Sequence, residues 1–157
     1  MKRARFWFMF LSLVVFTHAG AFGQSLQDYL EQGTKRYNIS DFRGALEAWQ
    51  QGLALAEKEG NKGYIGAFLN NLGNVYYSLA DYPQALSYYQ QALKIKREIG
   101  APTGREEANI GEVYLEQGRL KEAYEVFQRL KDPIRLGRYH LKAGDYPQAR
   151  EEFSRTS

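Results

Sequence analysis

Apolar and small residues recur along the chain at helical spacing. Leu69, Leu72, Gly73 and Tyr76 stand at positions i, i+3, i+4 and i+7, so they share one face of a helix. The residues between them are mostly polar, as expected for a helix with one packed face. This pattern predicts an amphipathic helix that ends before Asp81.

A second helix is predicted directly after the first. Pro83 suits the first turn of a helix, where its missing N–H group leaves no hydrogen bond unmade. Asp81 is a candidate N-cap, as are Asp41 and Asp145 at equivalent places, because a carboxylate accepts the free N–H groups of a first turn. The apolar stripe of this second helix consists of Ala85, Tyr89, Ala92 and Leu93.

The same order of residues occurs four times. The equivalent glycines are Gly33, Gly73, Gly111 and Gly137, spaced by 40, 38 and 26 residues. Recurrence at such intervals is typical of a solenoid, in which each unit buries its apolar face by stacking on its neighbours. The sequence therefore predicts an all-α array of about four antiparallel helical hairpins within residues 24–157. Their approximate ranges are 25–59, 62–100, 103–131 and 132–157.

The last interval is shorter than the others. Asp132-Pro133 stands where the next helix should begin, as a cap followed by proline in the first turn. We therefore predict that residues 120–131 form a shortened second helix. A fourth unit that is merely degenerate is the alternative.

The order Leu-Gly, Tyr, Ala-Asp-Tyr, Ala, Tyr and Ala-Leu within residues 69–93 resembles the tetratricopeptide repeat (TPR). The resemblance covers about residues 25–155 and implies a right-handed superhelical solenoid. The first copy departs from the pattern, since it lacks the usual leucine before Gly33. Residues 92–100 and the 40-residue spacing are similar to a long-repeat subtype, which occurs in Pins-type adaptors and ahead of bacterial CHAT protease domains.

In this family the first helix of each pair lines a concave groove that holds linear peptides. At 100° per residue, the groove-facing sector lies beside the packed face of each first helix. An asparagine amide can pair with any peptide backbone, a tyrosine can stack on a peptide, and an arginine can meet a carboxylate. Ordinary solvent exposure, packing between units and isolated surface charge are the alternatives for these residues. The candidate groove residues are Asn70, Asn74, Tyr77, Tyr37, Arg105 and Arg138.

The N-terminal segment has the layout of a secretory signal peptide. Three basic residues precede an apolar run from Phe6 to Phe16, and small residues follow. The run is too short for a membrane-spanning helix, which needs about 20 residues. We expect residues 1–23 to be removed, with cleavage after Ala21 or Gly23, and the rest to be exported to the periplasm or secreted.

Composition excludes several classes of function. The chain has no cysteine and only two histidines, so it cannot form a disulfide framework, a Cys-ligated metal site or a multi-histidine metal centre. It has 21 basic and 18 acidic residues, and the three bases of the N-terminal segment account for the difference. The remainder is neutral, which argues against nucleic-acid binding. His140 matches a helix-packing position, so we expect it to be structural.

These observations favour a non-catalytic module, without a cofactor or metal, that binds an extended segment of a partner protein. Two alternatives stay open: a regulatory or substrate-recruiting arm of a larger enzyme such as a CHAT-type protease, and a structural oligomerisation scaffold. The last helix lacks the polar cap that usually closes a solenoid. The sequence therefore predicts either a truncated piece of a longer protein or self-association through the C-terminal unit. No membrane contact is expected after signal cleavage.

Overall fold

Over residues 23–156, which the computed structural model describes, the chain forms eight α-helices joined by short turns. None of these eight helices is both long and apolar enough to cross a membrane. The predicted signal peptide lies outside the described residues, except for Gly23. In chain order the helices are α1 (Leu26–Asn38), α2 (Phe42–Glu59), α3 (Lys62–Ser78), α4 (Tyr82–Glu98), α5 (Gly104–Glu116), α6 (Leu120–Leu130), α7 (Pro133–Ala143) and α8 (Tyr146–Ser154).

Consecutive helices pair as four hairpins, α1–α2, α3–α4, α5–α6 and α7–α8, and each hairpin packs on the next. The predicted all-α solenoid is confirmed. The predicted caps are also present: the carboxylates of Asp41, Asp81 and Asp145 accept backbone N–H groups in the first turns of α2, α4 and α8. Asp132 caps α7 in the same way, with Pro133 in the first turn.

A glycine lets the two helices of each hairpin approach closely. A Cβ atom on Gly73 would lie 2.6 Å from the ring of Tyr89, a distance that no real side chain tolerates. The aromatic ring thus fills the space that the glycine leaves, and this contact fixes the distance between α3 and α4. The equivalent pairs in the other hairpins are Gly33–Trp49, Gly111–Phe127 and Gly137–Phe153.

Contacts between hairpins differ along the array. Phe68 of α3 is fully buried against the first hairpin, where Gly52 leaves room for its ring. The equivalent position in α5 is Glu106, which is also fully buried. Lys96 of α4 places its Nζ atom 2.7 Å from Glu106 Oε1. An ion pair therefore occupies the place that an aromatic ring holds one unit earlier.

The third hairpin contains the predicted short helix. α6 has 11 residues, whereas α2 and α4 have 18 and 17. It ends at Leu130, and Lys131 takes a left-handed backbone conformation with φ of 52° before α7 begins. The prediction of a shortened helix over residues 120–131 is confirmed.

Candidate functional site

The first helices of all four hairpins contribute side chains to one cavity of about 340 Å³, which we call the first-helix groove. In each first helix the contributing positions lie within about one turn of the packed glycine, so the repeat itself brings them together. Tyr89 reaches the cavity from α4. The lining residues are Tyr37 of α1, Asn74 and Tyr77 of α3, Tyr89, Asn109 and Glu112 of α5, and Arg135 and Arg138 of α7.

One half of the first-helix groove is neutral and rich in hydrogen-bonding groups. The Tyr89 hydroxyl donates to Asn74 Oδ1 at 2.8 Å, and the Tyr37 hydroxyl lies 2.8 Å from the Ser78 hydroxyl. Burial raises the pKa of the Tyr89 hydroxyl, with smaller contributions from neighbouring groups. The hydroxyl thus stays protonated and holds the Asn74 amide in a fixed orientation.

The other half of the groove is charged. Glu112 is only 8% exposed, and its Oε1 atom accepts a hydrogen bond from Arg138 Nη1 at 2.7 Å. Arg135 Nε lies 3.1 Å from the same oxygen. Burial raises the pKa of the Glu112 carboxyl, although the two guanidinium groups oppose that shift. The carboxylate therefore depends on the arginines to stay charged in this position.

A second layer of charges surrounds this cluster. Arg135 also forms an ion pair with Asp132, and Lys142 Nζ lies 2.9 Å from Glu116 Oε2. Arg138 Nη2 is 3.9 Å from Glu116 Oε1. Burial first, and then Glu112 and Glu116, raise the pKa of the Tyr77 hydroxyl. Each base of this cluster has an acidic partner, so its net charge is balanced.

The structure brings four of the six candidate residues together in the first-helix groove: Tyr37, Asn74, Tyr77 and Arg138. Arg138 does not point at open space, because Glu112 holds its guanidinium. Tyr37 also packs against its own hairpin, with ring centroids 5.7 Å from Phe42 and 5.8 Å from Trp49. This tyrosine thus lines the groove and packs within its own hairpin, while stacking on a peptide stays a prediction.

The other two candidates lie elsewhere. Asn70 is 3% exposed, and its Oδ1 atom accepts a hydrogen bond from Asn109 Nδ2 at 3.0 Å. It therefore joins α3 to α5 at a hairpin boundary instead of lining the groove. Arg105 is exposed in the first turn of α5, away from the lining residues.

The sequence does not single out three of the lining residues, Tyr89, Asn109 and Arg135, whereas Glu112 lies in the groove-facing sector that helix geometry predicts for the third hairpin. The sequence position of Asn109 and Arg135 could have indicated their place in the groove, because each precedes the packed glycine of its helix by two residues. That position faces the preceding hairpin. Glu112 occupies the same register as Asn74, directly after the glycine.

A second cavity lies on the side of the second helices. It has a volume of about 700 Å³ and opens between α4 and the short α6, above α5. We call it the second-helix groove. Its floor is apolar and its rim carries both signs of charge, including Arg97 and Arg129, which hold Glu107 at 3.3 and 3.0 Å. The apolar floor consists of Leu93, Ile110, Tyr114 and Val126.

Residues 23–156 contain no group of three or more His, Asp or Glu side chains arranged to hold a metal ion. His140 packs its ring against Tyr124 and Tyr139, with centroids 6.0 and 5.0 Å away. This packing agrees with the structural role predicted for it.

Two sequence profiles described as tetratricopeptide repeat match the chain, one over residues 36–98 and one over residues 108–133. Together they cover parts of the first three hairpins and the turn into the fourth. The matches include Tyr37, Asn74, Tyr77, Asn109 and Glu112 of the first-helix groove.

Solved structures share this architecture. BtubC (BKLC) from P. vanneervenii matches with a TM-score of 0.71 and 19% sequence identity, over 83% of this chain and 61% of BtubC. The TPR2AB domain of yeast Sti1, solved in a complex with pHSP90, matches with a TM-score of 0.58 and 23% identity, over 83% of this chain and 48% of that one. The chain thus spans about three fifths and about half of these two structures, and the likeness shows the fold alone.

Proposed function

Because the chain belongs to the tetratricopeptide-repeat family, a family of protein-interaction modules, we propose that it holds an extended segment of a partner protein in the first-helix groove without catalysing a reaction. The observation that carries the proposal is the convergence of four first helices on one cavity, lined in one half by amide and hydroxyl groups and in the other by paired charges. The Sti1 structure, a TPR domain in complex with pHSP90, supports a protein as the partner.

Two asparagines provide the chemistry for backbone recognition. Tyr89 orients the Asn74 amide, and within residues 23–156 the Nδ2 group of Asn74 donates to no protein atom. Asn109 uses its Nδ2 group on Asn70 and keeps its carbonyl oxygen for another donor. A free donor and a free acceptor on neighbouring helices match the alternating C=O and N–H groups of an extended peptide.

The experiment begins with selection of peptides from a display library on the purified protein, followed by measurement of Kd by fluorescence polarisation. Replacing both Asn74 and Asn109 with alanine should weaken binding at least about tenfold, because two hydrogen bonds to the ligand are lost. Arg105→Ala is the matched control, since it removes an exposed side chain outside the groove. Equal binding by the double variant and the wild-type protein would refute the proposed site.

A second copy of the chain is a further candidate partner. Ile134 and Leu141 of α7 are 55% and 47% exposed. Their counterparts in the third hairpin, Ala108 and Leu115, are only 5% and 2% exposed, and Leu115 shares a buried cluster with Leu136 of α7. Sedimentation velocity should show an oligomer that grows with concentration and is lost in Ile134→Asp/Leu141→Asp. Leu79→Asp, which alters an exposed leucine elsewhere, is the control, and a wild-type monomer at every concentration would reject this partner.

We further propose that the protein is exported after removal of its N-terminal segment. The support is the sequence layout of residues 1–23 alone. Intact-mass analysis of protein expressed from Met1 should show an N-terminus at Phe22 or Gln24. Recovery of the full-length chain from the cytoplasm would contradict export.

The alternative of a regulatory arm stays a prediction, as do the long-repeat subtype and the link to CHAT domains. Its test is direct: the gene should continue into, or adjoin, a domain that supplies a catalytic His and Cys. A reading frame that continues into no such domain, with none encoded by the next gene, would remove this alternative.

A further inference from the structure

The two arginines of the first-helix groove are directed at a carboxylate of the protein itself. Arg138 donates to Glu112 Oε1 at 2.7 Å, and Arg135 Nε lies 3.1 Å from the same atom. The side chains of Arg135 and Arg138 are 33% and 46% exposed, whereas that of Glu112 is only 10% exposed. The carboxylate is therefore the fixed centre of the cluster, and the guanidinium groups close over it from α7.

This arrangement is confined to one step of the repeat. The residue that directly follows the packed glycine is Thr34 in the first hairpin and Asn74 in the second, and both are neutral. It is Glu112 in the third hairpin and Arg138 in the fourth. The charged half of the groove thus arises because this one position carries a negative charge in the third hairpin and a positive charge in the fourth.

An external carboxylate has to compete with these internal ones. Arg135 is held by Glu112 and Asp132, and Arg138 by Glu112, with Glu116 nearby. An internal partner in a folded protein acts at a high effective concentration, on the order of millimolar or more. A free carboxylate in solution gains little from guanidinium groups that are already paired in this way.

We propose that Glu112 sets the charge selectivity of the first-helix groove, so that the groove excludes carboxylate-bearing segments and takes an uncharged stretch of partner backbone. The inference rests on the proposed function and names its ligand class. Glu112 is in this account a specificity-determining residue, because it occupies the cations that would otherwise attract an acidic ligand.

The second oxygen of Glu112 ties the carboxylate more closely to its arginines. Within residues 23–156, Glu112 Oε2 is buried and has no hydrogen-bond partner. Leaving a buried acceptor unpaired is unfavourable, so the carboxylate relies on the contacts of Oε1 with Arg138 and Arg135. The arginines are therefore held where they are, and a ligand without charge leaves this arrangement undisturbed.

The test uses succinate as a carboxylate probe and needs no peptide. Titrations followed by the ¹⁵N NMR signals of arginine Nε–H groups measure occupancy of Arg135 and Arg138 directly. In the wild-type protein we expect no saturable shift. In Glu112→Gln the freed guanidinium groups should bind succinate at least about tenfold more tightly, the effect of one charge-assisted hydrogen bond.

Matched variants separate this role from a structural one. Glu116→Gln removes a carboxylate one turn further along α5 that pairs with Lys142, lies 3.9 Å from Arg138 and does not line the groove. Since Glu112 still holds both arginines in this variant, it should gain no succinate binding. Glu112→Asn introduces the residue that the second hairpin has in this register, and serves as a second test if Glu112→Gln folds poorly. Adding Arg138→Gln to either Glu112 variant should abolish the gain.

Either of two succinate results would overturn the inference: wild-type protein that binds succinate as tightly as Glu112→Gln, or folded Glu112→Gln and Glu112→Asn proteins that both fail to bind it. A selected groove peptide with its carboxylate on Arg138 of the wild-type protein would do the same, while leaving the proposed function intact. Failure to select any peptide would remove the proposed function and leave the succinate comparison standing.

Discussion

The first and second hairpins meet through an aromatic ring, and the second and third meet through a buried ion pair. Phe68 and Glu106 hold equivalent positions in α3 and α5, and both are fully buried. Phe68 fits beside Gly52, whereas Glu106 pairs with Lys96, whose stem runs past Gly66. The comparison shows that the repeat specifies where two hairpins touch and leaves the chemistry of the contact open.

The two contacts should respond differently to mutation. A buried ring stabilises the fold through the apolar area that it removes from water. A buried ion pair gains little net stability over an apolar pair of the same size, because desolvation offsets the attraction, but it becomes costly when one partner is lost. The second interface thus depends on both of its members being present.

The largest effect is expected at the aromatic contact. Phe68→Ala should lower the free energy of unfolding by about 3–5 kcal/mol, because it removes a fully buried ring and leaves a cavity. Urea denaturation of the purified protein measures the change. Ile39→Ala, at a position that is 77% exposed, should change it little. A loss below about 1 kcal/mol for Phe68→Ala would mean that the interface does not need the ring.

Breaking the ion pair should have the next largest effect. Lys96→Met leaves the Glu106 carboxylate buried without its partner and should cost about 2–3 kcal/mol, since the 21% exposure of Lys96 admits some water. The double variant Lys96→Met/Glu106→Met should return to within about 1 kcal/mol of wild type.

An exposed ion pair provides the control for that experiment. Lys62 and Glu98 also join neighbouring helices at 2.9 Å, but their side chains are 53% and 38% exposed. Lys62→Met should therefore cost about 0–1 kcal/mol. A double variant at the buried pair that is no more stable than Lys96→Met alone would contradict the account of this interface.

The charge on Asp132 should have a smaller, pH-dependent effect. Burial raises the pKa of this carboxyl, but hydrogen bonds from the backbone and side chain of Arg135 outweigh it and hold the pKa below its ordinary value. The stabilisation is therefore complete above the pKa of the unfolded chain and is lost as pH falls through the lower, folded-state value.

Asp132→Asn isolates this charge, because asparagine is also a good N-cap residue. The variant should be less stable than wild type by about 0.5–1 kcal/mol at neutral pH, and the difference should vanish on acidification. Urea denaturation of both proteins, repeated at pH values across the range in which carboxyl groups titrate, measures this difference in stability. A difference that stays constant with pH would show that the charge is not its source.

Effects of similarly small size are expected at the turns inside the hairpins. The residue before the N-cap of the second helix has φ of 60° at Ser40 and 58° at Ala80, whereas the last two hairpins have Gly118 and Gly144 there. A left-handed backbone is strained for residues with a Cβ atom. Ala80→Gly should stabilise the protein by about 0.5 kcal/mol and Gly118→Ala should destabilise it by about 1 kcal/mol. Thermal unfolding should show shifts of opposite sign, and shifts of the same sign would refute this reading of the turns.

Much of the fold follows from the sequence because each repeat carries the same local signals. Eight helices, one of them shortened, are predicted from three local signals. These signals are the pairs of glycine and aromatic residues, the aspartate caps and the short interval before Gly137. The angle around the helix axis between a residue and its packed glycine predicts which side chains line the first-helix groove. It correctly places Tyr37, Asn74, Tyr77 and Arg138 there. These are properties of single helices, and period and register suffice to find them.

The rest depends on contacts between hairpins, which no single helix reveals. Asn70 has the right angle for the groove, but α5 covers it and Asn109 bonds to it. A glutamate at 106 reads as a solvated residue until Lys96 is placed beside it. Likewise, Glu112 and Arg138 come together only because α7 stacks on α5 in this particular register.

The most direct test of the account is to locate a bound peptide on the two grooves of the described chain. Chemical shifts of the side-chain amides of Asn74 and Asn109, recorded while a library-selected peptide is titrated, report on the first-helix groove. We predict that both signals move saturably, with the same Kd as the peptide. Unmoved asparagine signals, together with shifts at Ile110 and Val126 of the second-helix groove, would contradict the central claim.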